Sequence, residues 1–289
     1  MTLAAQLPAT GRTISLADAD LYAYEAGPAS GDAVVLVHGF LTSSATWRHI
    51  YPELARRHRV VLLDLPGCGR SPAPRRRDWT ASRAAALLVA AFDALGLEHP
   101  TLIGSQLGGS IASWVAAEHP DRIEALVVMA AGALGEAGSN LALYRALAAP
   151  VLGPLVARAL PYRFFAARWA AAHGPGHPPD RQAVARYHEQ LRERGAVMAR
   201  FGLGVRRSYG ESFDALAGPI TRVSVPTLLI FGDADPLVPP STGHRYAELV
   251  PHARLVLLPG CGDFPQEEAP REVLAALRGF LGGTGEPAR

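Results

Sequence analysis

Gln106, Asp235 and Asp263 each sit in a short glycine-bearing string that follows an apolar run. The strings are Gly104-Ser105-Gln106-Leu107-Gly108-Gly109, Gly232-Asp233-Ala234-Asp235-Pro236 and Pro259-Gly260-Cys261-Gly262-Asp263-Phe264-Pro265. The chemistry open to these residue types is narrow. An aspartic acid can give or take a proton. A glutamine amide donates and accepts hydrogen bonds, but its nitrogen is not nucleophilic and forms no acyl-enzyme. Two more strings, His38-Gly39-Phe40 and Asp64-Leu65-Pro66-Gly67-Cys68-Gly69-Arg70-Ser71, follow other apolar runs. All 28 basic residues are arginine, which removes Schiff-base and P-loop lysine chemistry. Cys68 and Cys261 form no CxxC pair and join no Cys/His cluster, so no metal site is expected. Gly104 to Gly109 lacks the G-x-G-x-x-G spacing of a dinucleotide loop, and no cofactor is expected.

The runs that carry these strings have strand length and are nearly continuously apolar, as buried parallel strands are. They are Ala33 to His38, Arg59 to Asp64, Thr101 to Gly104, Ala125 to Met129, Thr227 to Gly232 and Ala253 to Leu258. Helical patterns separate them at Ser43 to Arg56, Thr80 to Leu95, Leu107 to Glu118, Ser241 to Leu249 and Arg271 to Leu281. Strand alternating with helix predicts a mostly parallel sheet covered on both faces. Arg12 to Leu16 and Leu21 to Glu25 suit an antiparallel edge hairpin. The alternation breaks over residues 135–219. Helices are predicted there at Leu141 to Ala149, Leu152 to Ala159, Phe164 to Ala172, Arg181 to Arg194 and Phe201 to Tyr209. This stretch holds nine of the 21 aromatics, Phe213 among them. An insertion at the ligand end of a sheet suggests a lid. The expected division is a core of residues 1–134 and 220–289 and a helical lid of 135–219, with a frayed tail from Gly282 to Arg289.

With 289 residues, 49% of them hydrophobic and 19% charged, the chain has the composition of an ordinary globular protein. A net charge of +2 gives no reason to expect nucleic acid. No run of 18 apolar residues and no basic-then-apolar leader is present, so a cytoplasmic protein with no membrane partner is expected. Oligomeric state stays open between monomer and homodimer.

The order of the five strings resembles the α/β-hydrolase family over nearly the whole chain. The resemblance implies the α/β-hydrolase fold, a mostly parallel central sheet flanked by helices with a helical lid insertion. It also implies that Gly104 and Gly108 form the nucleophile elbow. The residue at the elbow's centre is Gln106 where the family has its nucleophile. Asp235 matches the family acid, and Asp263 stands where the family has histidine. These three should converge, and the two changed members remove the triad's proton relay. Backbone N–H groups of Phe40 and Leu107 would form the oxyanion hole. Ser105, one residue from the elbow's centre, should point away from the site.

Two carboxyl groups close together repel when both are ionised, so one should hold its proton near neutral pH. That pair, with Gln106 orienting a carbonyl or hydroxyl, suits general acid–base work. Asp263 is shorter than histidine and is not expected to bridge the gap to residue 106, which would leave room for water or substrate. It could instead point to solvent or cap a local turn. His38 is expected to serve loop structure, His244 to lie at the surface, and Arg75-Arg76-Arg77 to be a solvated loop face. Three functions remain open. The first is cofactor-free, non-hydrolytic chemistry, such as cyclisation, dehydration or isomerisation, on a hydrophobic carbonyl-bearing small molecule. The others are a non-catalytic ligand-binding protein, and a hydrolase of esters, lactones or epoxides with relocated catalytic groups.

Overall fold

The computed structural model describes residues 7–131, 141–207 and 218–282. The part of the predicted helix beyond Arg207, Phe213, the 134/135 boundary and the tail from residue 283 lie outside the described residues. Eight strands form one sheet: β1 (Gly11–Ile14), β2 (Leu21–Ala26), β3 (Ala33–Val37), β4 (Arg59–Asp64), β5 (Thr101–Ser105), β6 (Ala125–Met129), β7 (Thr227–Gly232) and β8 (Arg254–Leu258). Their spatial order is β1-β2-β4-β3-β5-β6-β7-β8. β3 to β8 pair in parallel, while β1 and β2 enter antiparallel. The predicted amino-terminal hairpin is present, but only β1 lies at the edge, because β2 pairs with β4.

Two apolar layers explain the continuous runs. Val35, Val37, Leu63, Leu102, Val128 and Phe231 face one side, and Leu36, Leu62, Ile103, Met129 and Ile230 face the other. Against the first layer pack α2 (Ala81–Leu95) and α3 (Leu107–Glu118); against the second, Trp47, Ile50 and α10 (Pro270–Leu281). Thr80 caps α2, accepting from the Arg83 N–H at 3.2 Å, and Gly96 closes it in the left-handed conformation at φ 62°. The predicted helix Ser43 to Arg56 is a 3₁₀ turn, Ser44–Trp47, followed by the single turn α1 (Tyr51–Leu54). Pro52 has no N–H to donate back and so restarts the helix. α8 (Pro240–Leu249) and α9 (Pro265–Glu268) complete the core.

Between β6 and β7 the chain forms α4 (Leu141–Ala148), α5 (Leu152–Ala159), α6 (Tyr162–Ala171) and α7 (Arg181–Arg207). The sequence predicts two helices where α7 runs unbroken for 27 residues through Gly195, Gly202 and Gly204. Each glycine sits at a close contact. A Cβ would meet the Leu191 side chain at Gly195, the Phe40 ring at Gly202 and Trp79 at Gly204. Packing overrides their poor helix propensity. No helix among the described residues is long and apolar enough to cross a membrane.

Candidate active site

Strand order reverses at β3, since β4 lies on one side of it and β5 on the other. The loops after β3 and β5 therefore open into one crevice. The chain leaves β5 at Gln106 with φ 51° and ψ −117°, a conformation few non-glycine residues adopt. The turn closes only because its neighbours lack side chains. A Cβ at Gly104 would lie 2.4 Å from the Gly108 carbonyl oxygen, and one at Gly108 would lie 2.4 Å from that of Val37. The side chain of Gln106 is thereby thrust toward β3, where its Oε1 lies 1.9 Å from the place a Cβ on Gly39 would occupy.

From there Gln106 reaches the turn after β8. Its Nε2 donates to the Asp263 carbonyl oxygen at 3.0 Å and to Asp263 Oδ2 at 2.5 Å. The other carboxyl oxygen of Asp263, Oδ1, is buried without a hydrogen-bond partner. Asp263 does not point to solvent: the residue is only 6% exposed. Asp235, in the loop after β7, accepts from the Leu237 and Val238 N–H groups at 2.7 and 2.9 Å through Oδ1. Its Oδ2 is buried and likewise unpartnered.

Burial and mutual repulsion set the charge state of this pair. Burial pushes the Asp263 carboxyl well above the ordinary carboxylate range, and the nearby charges of Asp235 and Glu268 push it further. The Gln106 hydrogen bond pulls the other way but does not win. Asp235 is raised to about 7, chiefly by burial, against the pull of its two backbone donors. Both carboxyls are thus shifted toward their protonated forms.

Phe40 and Leu107 flank the same crevice. Among the described residues neither of their N–H groups donates a hydrogen bond, so both are available to an oxygen placed between them. The Phe40 ring meets Tyr144 of α4 edge-on at 4.8 Å. Tyr144 is close enough to Asp263 that the carboxylate charge adds to burial in raising its phenol.

The other candidates serve structure. Ser105 turns away and donates to Gln266 Oε1 at 3.2 Å. His38 Nε2 accepts from the Leu65 N–H at 2.9 Å, and burial lowers its basicity. Asp64 accepts from the Ser44 and Arg70 N–H groups, both at 2.8 Å. Arg75 pairs with Asp20 and Arg76 with Asp78. Arg76 and Arg77 line a cavity of about 130 Å³ with Trp79, Arg200 and Phe201. Both cysteines are buried, and burial raises both thiols.

Sequence reasoning missed Glu268. It accepts from the Gly262 and Phe264 N–H groups at 2.8 and 3.0 Å and from the Gly174 N–H at 2.8 Å. It therefore clasps the Asp263 turn to the chain that follows α6, and Asp263 itself donates its N–H to the Ala172 carbonyl at 3.0 Å. The signal was present as Gln266-Glu267-Glu268, directly after the Gly262-Asp263-Phe264-Pro265 turn.

A family model described as alpha/beta hydrolase fold matches residues 32–270. A pimeloyl-[acyl-carrier protein] methyl ester esterase of Aeromonas hydrophila is 30% identical over 260 residues, covering 87% of this chain and 96% of its own. A 2-hydroxymuconate semialdehyde hydrolase of Pseudomonas sp. strain CF600 is 28% identical, covering 95% and 94%. The crystal structure of carboxylesterase CesB from Bacillus subtilis superposes with a TM-score of 0.80 at 20% identity, covering 97% of this chain and 95% of that one.

Proposed function

Because the chain belongs to the α/β-hydrolase family and carries Gln106 at the elbow, we propose an enzyme of cofactor-free acid–base chemistry on a hydrophobic, carbonyl-bearing small molecule. The reaction class is proton transfer next to a carbonyl: isomerisation, dehydration or a cyclisation that follows from them. The observation that carries this reading is the Asp263 carboxyl, pinned by Gln106 through Oδ2 and left with an unpartnered Oδ1 beside Asp235. The substrate carbonyl would sit between the Phe40 and Leu107 N–H groups, where charge on an enolate oxygen is stabilised. Gln106 Oε1 offers an acceptor to a substrate hydroxyl. Asp235, raised to about 7, takes a proton from the carbon next to the carbonyl to leave the enolate. Asp263 gives its proton to the product carbon or to a departing hydroxyl, and proton exchange with solvent returns the pair to its starting state. The helices between β6 and β7 would act as the lid that keeps water from the dyad.

Glutamine cannot be acylated, and that argues against the two-step ester hydrolysis of the family. A second reading is favoured by the names of the relatives, an esterase and a hydrolase. In it the two carboxyls activate water directly on an ester, lactone or epoxide. Solvent isotopes separate the readings. In deuterated, oxygen-18-labelled water, a panel of apolar ketones and β-hydroxy ketones should acquire deuterium beside the carbonyl, and no ester or epoxide should yield labelled product. Oxygen-18 in the acid from an ester or lactone, or in the diol from an epoxide, would establish the hydrolase instead. Ligand binding with neither label entering would leave a binding protein.

A further inference from the structure

Exposed apolar surface is concentrated on one short stretch. Among the described residues, the large hydrophobic side chains open to solvent are Val151, Leu152, Leu155, Tyr162 and Phe164, with exposures of 78, 61, 59, 41 and 46%. All five lie on α5, on the residue before it and on the start of α6. α5 is built inside out. Its buried residues are the small ones, Gly153 and Ala157. A Cβ on Gly153 would touch the Leu147 carbonyl at 2.0 Å and Ala196 at 3.2 Å, and Ala157 packs on Gly195 of α7. Small residues thus seat the helix on its neighbours, and its leucines are left outside, opposite to what a helix on a core does. Exposed large side chains grouped on one short stretch in this way mark a contact with something apolar.

Charge narrows what that something is. Residues 141–179 hold four arginines and no acidic residue. Arg158, Arg163 and Arg168 are all exposed on the same two helices. Residues 135–219 carry eleven arginines against six acidic residues, whereas the rest of the chain carries seventeen against twenty. A second copy would bring one basic face onto another. A protein partner would need pockets shaped to three protruding aliphatic side chains. A lipid interface needs none, and it accepts aliphatic side chains below the headgroups, aromatic rings at their level and arginines on the phosphates.

We infer that this face docks on the surface of a membrane rich in anionic lipids. α5 lies in the interface with Val151, Leu152 and Leu155 below the headgroups, flanked by Tyr162 and Phe164, while Arg158, Arg163 and Arg168 meet phosphate. No described helix is able to cross the bilayer, and docking of this kind does not require one. The inference is independent of the chemistry assigned to Asp263.

The test uses the full chain and sedimentation with vesicles. On vesicles of equal parts phosphatidylglycerol and phosphatidylcholine the protein should co-sediment, less so as salt is raised, and only weakly on phosphatidylcholine alone. The double variant Leu152→Asp, Leu155→Asp should lower partitioning at least about tenfold. Arg158→Glu with Arg163→Glu should abolish the preference for the anionic lipid. These side chains are exposed, so circular dichroism and thermal unfolding should match wild type. Wild-type protein that stays in the supernatant would overturn the inference, as would equal partitioning of both variants. So would a concentration-dependent dimer that Leu152→Asp, Leu155→Asp splits, which would make the face an interface between copies.

Discussion

The Gln106 side chain donates to Asp263 twice, to the carbonyl oxygen at 3.0 Å and to Oδ2 at 2.5 Å. One amide group therefore fixes both the turn after β8 and the orientation of its carboxyl. With Oδ2 committed as an acceptor, a protonated Asp263 carries its hydrogen on Oδ1, the oxygen without a partner among the described residues. A strained elbow residue is thus bound to a carboxyl that burial shifts toward its protonated form, where the family relays protons through histidine.

Asp263→Asn tests the acid directly. Asparagine has the same shape, and its amide oxygen still accepts from Gln106, so geometry and substrate binding should persist. What it lacks is the proton to give. Turnover of a responsive carbonyl substrate should fall by about 10²- to 10⁴-fold in kcat, with Kd for the same compound changed little. Undiminished turnover would remove Asp263 from the chemistry.

Stability should fall as pH rises, contrary to the usual behaviour of carboxylates. Asp235 titrates near 7 in the folded protein against an ordinary value of 3.8. Between those values the folded chain holds a proton that the unfolded chain has released, so folding is favoured at low pH and that advantage disappears as pH passes 7. Three units correspond to about 4 kcal/mol. Asp263, raised well above its ordinary value, acts in the same direction. Tm should be higher at pH 5 than at pH 8, and Asp235→Asn should flatten the difference while its amide oxygen keeps both backbone donors. A Tm that climbs between pH 5 and 8 would contradict the assigned burial.

The sheet was legible in the sequence because each buried strand is a bounded apolar run, and the five glycine-bearing strings mark where the chain turns out of it. Local pattern failed where long-range contacts decide. The stretch around Gly195 reads as a helix break, yet Gly195, Gly202 and Gly204 are the points where α7 touches Ala157, Phe40 and Trp79. Pro52 gave the opposite error: an apolar period across Ser43 to Arg56 hid a restart. That Gln106 and Asp263, 157 residues apart, share one site came from the family resemblance, but the expected gap between them is absent, because the glutamine side chain is long enough to reach the shorter aspartate. Nothing in a linear pattern announces that Glu268 clasps Gly174, because pairing between distant segments leaves no period.

Restoring the family residues should restore family chemistry. Among the described residues the Phe40 and Leu107 N–H groups and Asp235 Oδ2 have no partner, and Gln106→Ser with Asp263→His places the family side chains beside them. The wild-type protein should be inert toward p-nitrophenyl esters, and the double variant should cleave them measurably with burst kinetics. Gln106→Ser alone should remain inactive, lacking the histidine that takes the serine proton. Cleavage by the wild-type protein that Asp263→Asn stops would favour the relocated hydrolase.

The inserted helices are tied to the core through a buried ion pair, Arg48 with Glu267, from which Arg48 also reaches the partly exposed Asp180 at 3.6 Å. Arg48 and Glu267 pair at 3.0 Å with side chains only 2% and 5% exposed. Glu267 also accepts from Thr46 at 2.6 Å and, across the subdomain boundary, from the Tyr187 hydroxyl of α7 at 2.8 Å. Thr46 accepts from Gln266, which accepts from Ser105 beside the elbow. Arg48→Met would strand the Glu267 carboxylate in this interior, at a cost of about 3–5 kcal/mol. Adding Glu267→Gln should recover much of that loss, because the amide oxygen still accepts from Thr46 and Tyr187 without a charge to compensate. Urea unfolding of wild type and of the single and double variants measures the coupling. Additive losses would mean that the pair is not the unit that joins α7 to the core.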